Sequence, residues 1–236
     1  MGGFYIGREA MRYENVHKGK FLNRPNRFVA HVEIDGKTEI CHVKNTGRLK
    51  ELLYPGVPVF VQASDNPNRK TKFDLIAVEK GKSVVNIDSL APNKVFFEWV
   101  KDSGLFGNIQ QIKPECRFRN SRFDYYLETD EKKIFVEVKG VTLGKNGVAL
   151  FPDAPTERGV KHLRELCLCK EEGYEACAFF VVQMEGVTAF SPNKLTHPAF
   201  AEALCSAKQQ GVHVFAATCK VSCDTLKLDS FIPVTL

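Results

Sequence analysis

Two acids and a lysine carry the sharpest chemical signal in this chain. Asp124 sits between Phe123 and Tyr125, and Glu137-Val138-Lys139 follows within the apolar run that begins at Ile134. Alternate side chains of an extended strand share a face, so Glu137 and Lys139 project together, with Asp124 on the neighbouring strand. Two carboxylates and an ammonium would then converge, a costly thing to bury unless a divalent cation neutralises the acids. Mg²⁺ or Mn²⁺ on Asp124 and Glu137 would acidify a bound water and stabilise charge on a phosphate, while Lys139 adds a positive charge. Glu-x-Lys alone reads better as a surface ion pair on an edge strand. The upstream Asp124 and the apolar flanks favour a site.

The arrangement resembles the PD-(D/E)xK nuclease pattern. Ser121, three residues before Asp124, resembles the Ser-x-x-Asp of resolvases in that superfamily, and Glu98 is the candidate for an additional helical carboxylate, with Glu115 as the weaker choice. Downstream, Arg158, His162 and Glu165 fall on one face of a helix with Lys161 adjoining, whereas Val160, Leu163 and Cys167 fall on another. A lone histidine there is usually a surface residue; Thr156-Glu157-Arg158-Gly159 and Lys161 beside it give His162 a functional reading.

These residues need elements to position them. Phe28, Ala30, Val32 and Ile34 alternate with polar or outward residues, Asp35-Gly36 supplies a hairpin turn, and Thr38 to Val43 returns. Short strands follow at Val57–Gln62, Lys72–Val78 and Ser83–Ile87. That spacing predicts an OB-like β-barrel of roughly five strands over residues 1–86, with 1–18 an extension given no role. Residues 87–236 predict an α/β domain. Its helices are Asn93–Val100, capped by Pro92 or Asn93; Thr156 to about Glu172, capped by Asp153 or Thr156; and Pro198–Gln210. Its strands are Cys116–Arg119, Phe123–Glu128, Lys133–Val138, Ala176–Val182 and Val212–Thr218. Trp99 reads as core.

The chain has 236 residues and a net charge of +5. Residues 1–86 carry 15 Lys+Arg against 9 Asp+Glu, and the remainder 18 against 19, so the basic excess lies in the barrel. Such asymmetry favours a polyanionic partner over a merely solvated basic face. Arg24, Arg27, Lys44, Arg48, Arg69, Lys70 and Lys72 are the candidate phosphate contacts there, with Arg122, Arg158 and Lys161 in the second domain. Tyr54, Phe60 and Phe73 have the chemistry to stack bases, but strand positions favour core. The expected partner is DNA, with RNA or a branched nucleic acid as alternatives; the oligomeric state stays open, a homodimer included. The start lacks the pattern of an export signal, no run is apolar enough to span a bilayer, and eight scattered cysteines read as free thiols, so the expected compartment is the cytoplasm.

Several stretches are similar to the sugar fermentation stimulation protein A family: His42–Gly47, Ser64–Lys70, Asn120–Asp124, Val136–Leu143 and, most distinctively, Ala149–Leu166. The resemblance implies an OB-like domain followed by a nuclease-like domain, DNA binding, and a name drawn from effects on sugar metabolism, maltose in particular. Gly140 departs from the Asn or Ser of many members. Two functions follow: a Mg²⁺-dependent endonuclease, or a DNA-binding transcriptional regulator of sugar metabolism that does not cleave.

Overall fold

The Asp35-Gly36 hairpin forms as its alternation predicts, with both turn residues at positive φ (49° and 75°). The structure, a computed structural model, describes residues 10–236. In chain order the first half supplies β1 (Met11–Arg12), β2 (Val16–Asn26), β3 (Val29–Ile34), β4 (Lys37–His42), β5 (Pro58–Ala63), β6 (Phe73–Lys80) and β7 (Ser83–Asn86). Strands β2 to β6 close into a barrel in the order β4-β3-β2-β5-β6, sealed by a short parallel pairing of β4 with β6. Gly19 lets β2 curve across β3: a Cβ there would lie 2.5 Å from Val32 Cγ1 and 2.9 Å from the Glu33 carbonyl.

The second half continues with α1 (Ala91–Val100), β8 (Ile109–Phe118), β9 (Ser121–Thr129), β10 (Lys133–Val141), β11 (Leu143–Lys145), β12 (Val148–Phe151), α2 (Glu157–Glu171), β13 (Glu175–Val182), β14 (Ala189–Pro192), α3 (Pro198–Gln209), β15 (His213–Val221) and β16 (Thr225–Ile232). A seven-stranded sheet runs β1-β16-β15-β13-β10-β9-β8, with β10, β13 and β15 parallel at its centre. Central strands covered on both faces are largely apolar, as β13 (EACAFFVV) shows after its first residue. Helix α1 buries Val95, Phe96 and Trp99 with Val136 and Val138 on one face. Helices α2 and α3 bury Leu163 and Phe200 with Phe135 and Phe180 on the other, and that core runs on into the barrel through residues such as Phe21 and Leu75.

Two expectations are revised and a third is resolved. Residues 11–18, left without a role, build β1 and open β2; β1 pairs with β16 of the second domain's sheet (Met11↔Leu226), so this segment joins one domain's sheet before the chain enters the barrel. Residues 1–9 lie outside the described part. Helix α1 begins at Ala91 with Pro92 in its first turn and has no side-chain cap, because Leu90 at the cap position has no polar side-chain atom; Asn93 lies within the helix and its amide donates to Asp124. Of the two proposed caps for α2, Thr156 serves, its hydroxyl accepting from the Gly159 N–H at 3.1 Å, while Asp153 reaches across to the barrel. The sequence also left β2, β11, β12, β14 and β16 unread: β2 (VHKGKFLNRPN) shows no apolar alternation, three are only three or four residues long, and β16 (TLKLDSFI) lies beyond the last strand expected.

Candidate active site

The central sheet splits where the chemistry lies. β9 and β10 pair from Lys133↔Glu128 as far as Val136↔Tyr125, and there the ladder stops, although β9 stays with β8 down to Ser121 and β10 stays with β13 up to Val141. The next opposed pair would be Asp124 and Glu137. Instead of a backbone carbonyl, Asp124 Oδ2 accepts the Val138 N–H at 2.8 Å. Its Oδ1 accepts from Asn93 Nδ2 at 2.9 Å, and the Tyr125 hydroxyl ties α1 to β9 by donating to the Asn93 carbonyl at 2.8 Å. Side chains of β9 change their alternation here: Phe123 and Tyr126 face α2, Tyr125 and Leu127 face α1. Glu115, on β8, has φ 56°.

Glu137 lies on the α2 face and is 3% exposed. His162 Nδ1 and Lys139 Nζ both reach its Oε1. Arg158 Nε donates to His162 Nε2 at 3.3 Å; since that nitrogen accepts, the ring hydrogen belongs on Nδ1, directed at Glu137. Phe123 meets the imidazole edge to face, with centroids 5.9 Å apart. Glu137 Oε2 is buried with no partner, and so are Ser121 Oγ and Glu165 Oε2.

The two acids respond oppositely to one enclosure. Burial, then the charge of Glu137, raises the Asp124 pKa above the ordinary carboxylate value. Burial also pushes Glu137 upward, but the His162 hydrogen bond and the Lys139 charge outweigh it and hold that pKa low. Orphaned hard oxygens beside a pair of acids fit a Mg²⁺-like ion, which takes one or two carboxylates from a protein and fills its remaining positions with water and phosphate. Among the described residues no group of three His, Cys, Asp or Glu is assembled to hold a metal by itself. The fit therefore requires substrate oxygens to complete the shell.

The structure brings together Asp124, Glu137, Lys139 and His162. Ser121 lies buried at the start of β9. Lys161, beside it on α2, donates to the Asn120 carbonyl at 2.8 Å and lies 3.7 Å from Glu165. Glu98 is exposed on α1, more than a turn beyond Asn93. The helical carboxylate with a buried, unused oxygen is Glu165, whose spacing from Arg158 and His162 already placed it on their face. Asn93 was missed as a site residue, because a helix-capping asparagine and a carboxylate-orienting one look alike in sequence.

The basic candidates divide sharply. Arg24 is spent inside the barrel, donating to the carbonyls of Arg27, Asn45, Gly47 and Arg48 at 2.7 to 3.2 Å. Arg69 pairs in two-pronged fashion with buried Asp74 (2.5 and 3.0 Å), and Lys44 bridges Asp74 and Asp88 (3.2 and 3.1 Å). Arg122 pairs with Glu115 at 2.5 Å on the surface. Arg27, Arg48, Lys70, Lys72, Arg158 and Lys161 remain exposed. Phe60 and Phe73 are core, while Tyr54 is 54% exposed and Phe28, which alternation grouped with Ala30, Val32 and Ile34, 45%.

Comparison with known proteins places this architecture. Residues 22–87 match the family described as SfsA N-terminal OB domain, and residues 90–225 match the Sugar fermentation stimulation protein RE domain. The sugar fermentation stimulation protein homolog of Desulfitobacterium hafniense strain Y51 is 58% identical over 226 residues, covering 96% of this chain and 99% of its own. That of Clostridium beijerinckii is 55% identical over 226 residues, covering 96% and 100%. The solved structure of Pyrococcus furiosus SfsA in complex with Ca²⁺ superposes with a TM-score of 0.89 at 30% identity, covering 96% of this chain and 98% of that one. This chain is a member of the sugar fermentation stimulation protein family.

Proposed function

We propose that the chain binds nucleic acid, DNA in the first instance, and hydrolyses a phosphodiester at the split between β9 and β10 with the help of Mg²⁺ or Mn²⁺. One observation carries the reading: Glu137 Oε2 is a buried carboxylate oxygen with no partner, beside a lysine and a histidine that occupy only its twin. A bare buried oxygen of an ionised acid is expensive, and a cation is the natural relief. Asp124 and Glu137 would hold the metal, which when bound supplies an acidified water and charge stabilisation on the phosphate. That the Pyrococcus furiosus relative is a Ca²⁺ complex supports an oxygen-lined cation site in this fold.

The chain's own residues do the positioning. Asn93 and the Val138 N–H aim the Asp124 carboxylate through one oxygen each. His162, itself oriented by Arg158, keeps Glu137 ionised and fixed. Lys139, a quarter exposed, is placed to meet phosphate charge at the mouth of the split, and exposed Arg158 and Lys161 extend that positive edge. Arg27, Arg48, Lys70 and Lys72 would hold the flanking backbone. The proposed setting is the cytoplasm, where the eight free thiols would persist; no described helix is long and apolar enough to cross a membrane.

A second reading is a DNA-binding regulator that does not cleave. It is favoured by the donors already on both Asp124 oxygens and by the lack, among the described residues, of a third metal-ligating side chain in a cluster. Incubation with Mg²⁺ or Mn²⁺ and single-stranded, duplex or branched DNA, and with RNA, separates the two. Metal-dependent cleavage lost in Glu137→Gln establishes the enzyme. Salt-sensitive binding with no cleavage of any substrate establishes the regulator.

A further inference from the structure

The two stretches that stand out most in the sequence face each other across the seam between the domains. His42–Gly47 ends in a barrel loop, and Ala149–Leu166 begins with β12 and the loop into α2. Between them lies a cleft of about 410 Å³ that reaches Gly140, the residue after Lys139. Its walls are fixed before any ligand arrives. Arg24 grips the barrel loop from behind through three of its carbonyls. From the other domain Asp153 Oδ2 accepts the Arg48 N–H at 3.1 Å, and a Cβ on Gly47 would stand 2.2 Å from that oxygen.

The lining says what the cleft would accept. Asn45, Thr46, Ser89, Thr142 and Gln183 contribute neutral donors and acceptors, and Phe151 and Pro155 contribute flat apolar surface. Gln183 is 1% exposed and rigidly held: its amide nitrogen donates to Asn86 Oδ1 (2.8 Å) and the Asp88 carbonyl (3.0 Å), which leaves its oxygen over Gly140. Arg27 is the only cation in the lining. A phosphate would find few partners inside, whereas a heterocycle with a polar edge and two apolar faces would find both. At the rim the Arg27 guanidinium stacks 4.8 Å over Phe28, a half-exposed ring of the kind on which bases stack.

We propose that this seam cleft receives an unpaired nucleobase adjoining the phosphate held at Glu137 and Lys139, so that the preferred substrate is single-stranded or locally unpaired nucleic acid. A duplex keeps its base edges paired and stacked, and cannot offer one to the cleft without flipping it out. The inference rests on the proposed use of the β9–β10 split to hold a phosphodiester, and is tested apart from cleavage.

The test is anisotropy of a fluorescein-labelled oligonucleotide in EDTA, as single-stranded DNA, as RNA of the same sequence, as DNA duplex, and as a set of single strands with one abasic position each. Single strands of at least one sugar type are expected to bind about tenfold tighter than duplex, and one abasic position to lose about tenfold, as for a lost stacked base. Thr46→Trp, which fills the cleft from an exposed position, should abolish the preference for single strands, and Thr142→Val should weaken single strands severalfold without affecting duplex. Equal affinity for duplex and single strand, or an abasic series without a sensitive position, overturns the proposal. Single-strand affinity unchanged in a folded Thr46→Trp protein does so too; if that variant fails to fold by circular dichroism, the abasic series decides with the natural protein. Cleavage of duplex with a flat abasic series sinks the cleft alone. An abasic-sensitive protein that cleaves nothing keeps the cleft and sinks the hydrolytic reading.

Discussion

Asp124 accepts the backbone N–H of Val138 at 2.8 Å, and a side chain thereby completes a strand that its neighbour has abandoned. The carboxylate that would hold a metal is therefore also the piece that terminates the β9–β10 ladder. Replacing it with Ala should leave the Val138 N–H without a partner and cost about 1–3 kcal/mol. Asp124→Asn should cost less, because an amide oxygen still accepts from Val138 and the Asn93 amide is free to turn. Both variants should lose metal-dependent cleavage. Urea denaturation without metal, alongside the nuclease assay, checks the pair; an active Asp124→Ala protein would remove Asp124 from the chemistry.

The opposite shifts of the two acids make a pH prediction. The raised Asp124 pKa means the folded state binds a proton more tightly than the unfolded one, so its contribution declines as pH rises from the ordinary carboxylate value through the folded value. The lowered Glu137 pKa contributes stability above the ordinary carboxylate value that is lost as pH falls through the folded value. His162→Ala removes the hydrogen bond that, together with the Lys139 charge, outweighs burial at Glu137, so the acid limb of its melting profile should move to higher pH. Melting temperature between about pH 3 and 8, without metal, reads the shift; an unmoved acid limb would show that His162 does not support the Glu137 charge.

Asp74 offers a second acid-sensitive anchor, distant in role from the split. Burial raises its pKa, but Arg69 and Lys44 outweigh it and hold the group below the usual range. Its stabilising effect should be full above the ordinary carboxylate value and fade as pH falls through the depressed one. Asp74→Ala would leave Arg69 without its acid and Lys44 with Asp88 alone, and should destabilise by roughly 3 kcal/mol at neutral pH. Chemical denaturation at two pH values measures both magnitude and sign.

The division among the basic residues predicts which of them set the salt dependence of binding. Arg48→Ala, Lys70→Ala and Lys72→Ala should each shallow the slope of log affinity against log salt by up to about 0.7–0.9 if the residue meets a phosphate. Arg69→Ala should instead act through Asp74, lowering stability with little change in slope. A slope that responds to Arg69 as strongly as to Lys70 would mean the Asp74 pair opens to admit phosphate.

Much of the fold was legible because its signals are local. Strand alternation with Asp35-Gly36 marked the hairpin, and the spacing of Val160, Leu163 and Cys167 marked the inner face of α2. Of the elements left unread, β1 and β11 are too short for a period to show, β2 (VHKGKFLNRPN) has no apolar alternation, and β1 is held by the edge that β16 offers. At the site, residue types and strand alternation sufficed for Asp124, Glu137 and Lys139. The pairings did not show: His162 was picked out by its neighbours but not tied to Glu137, 25 residues earlier, and Asn93, 31 residues before Asp124, was missed.

The amino-acid sequence by itself determined which chemical groups are present, which face of each strand or helix they occupy, and the excess of positive charge in the first half. Tertiary structure alone decided that Arg24, Lys44 and Arg69 are spent on internal partners, that Glu165 rather than Glu98 carries the unused helical carboxylate oxygen, and that two distant loops enclose a cleft. The reason is physical. Periodicity records the direction a side chain leaves the backbone, whereas the partner of a buried charge or hydrogen-bonding group depends on which remote segment packs against it, and no local pattern encodes that choice.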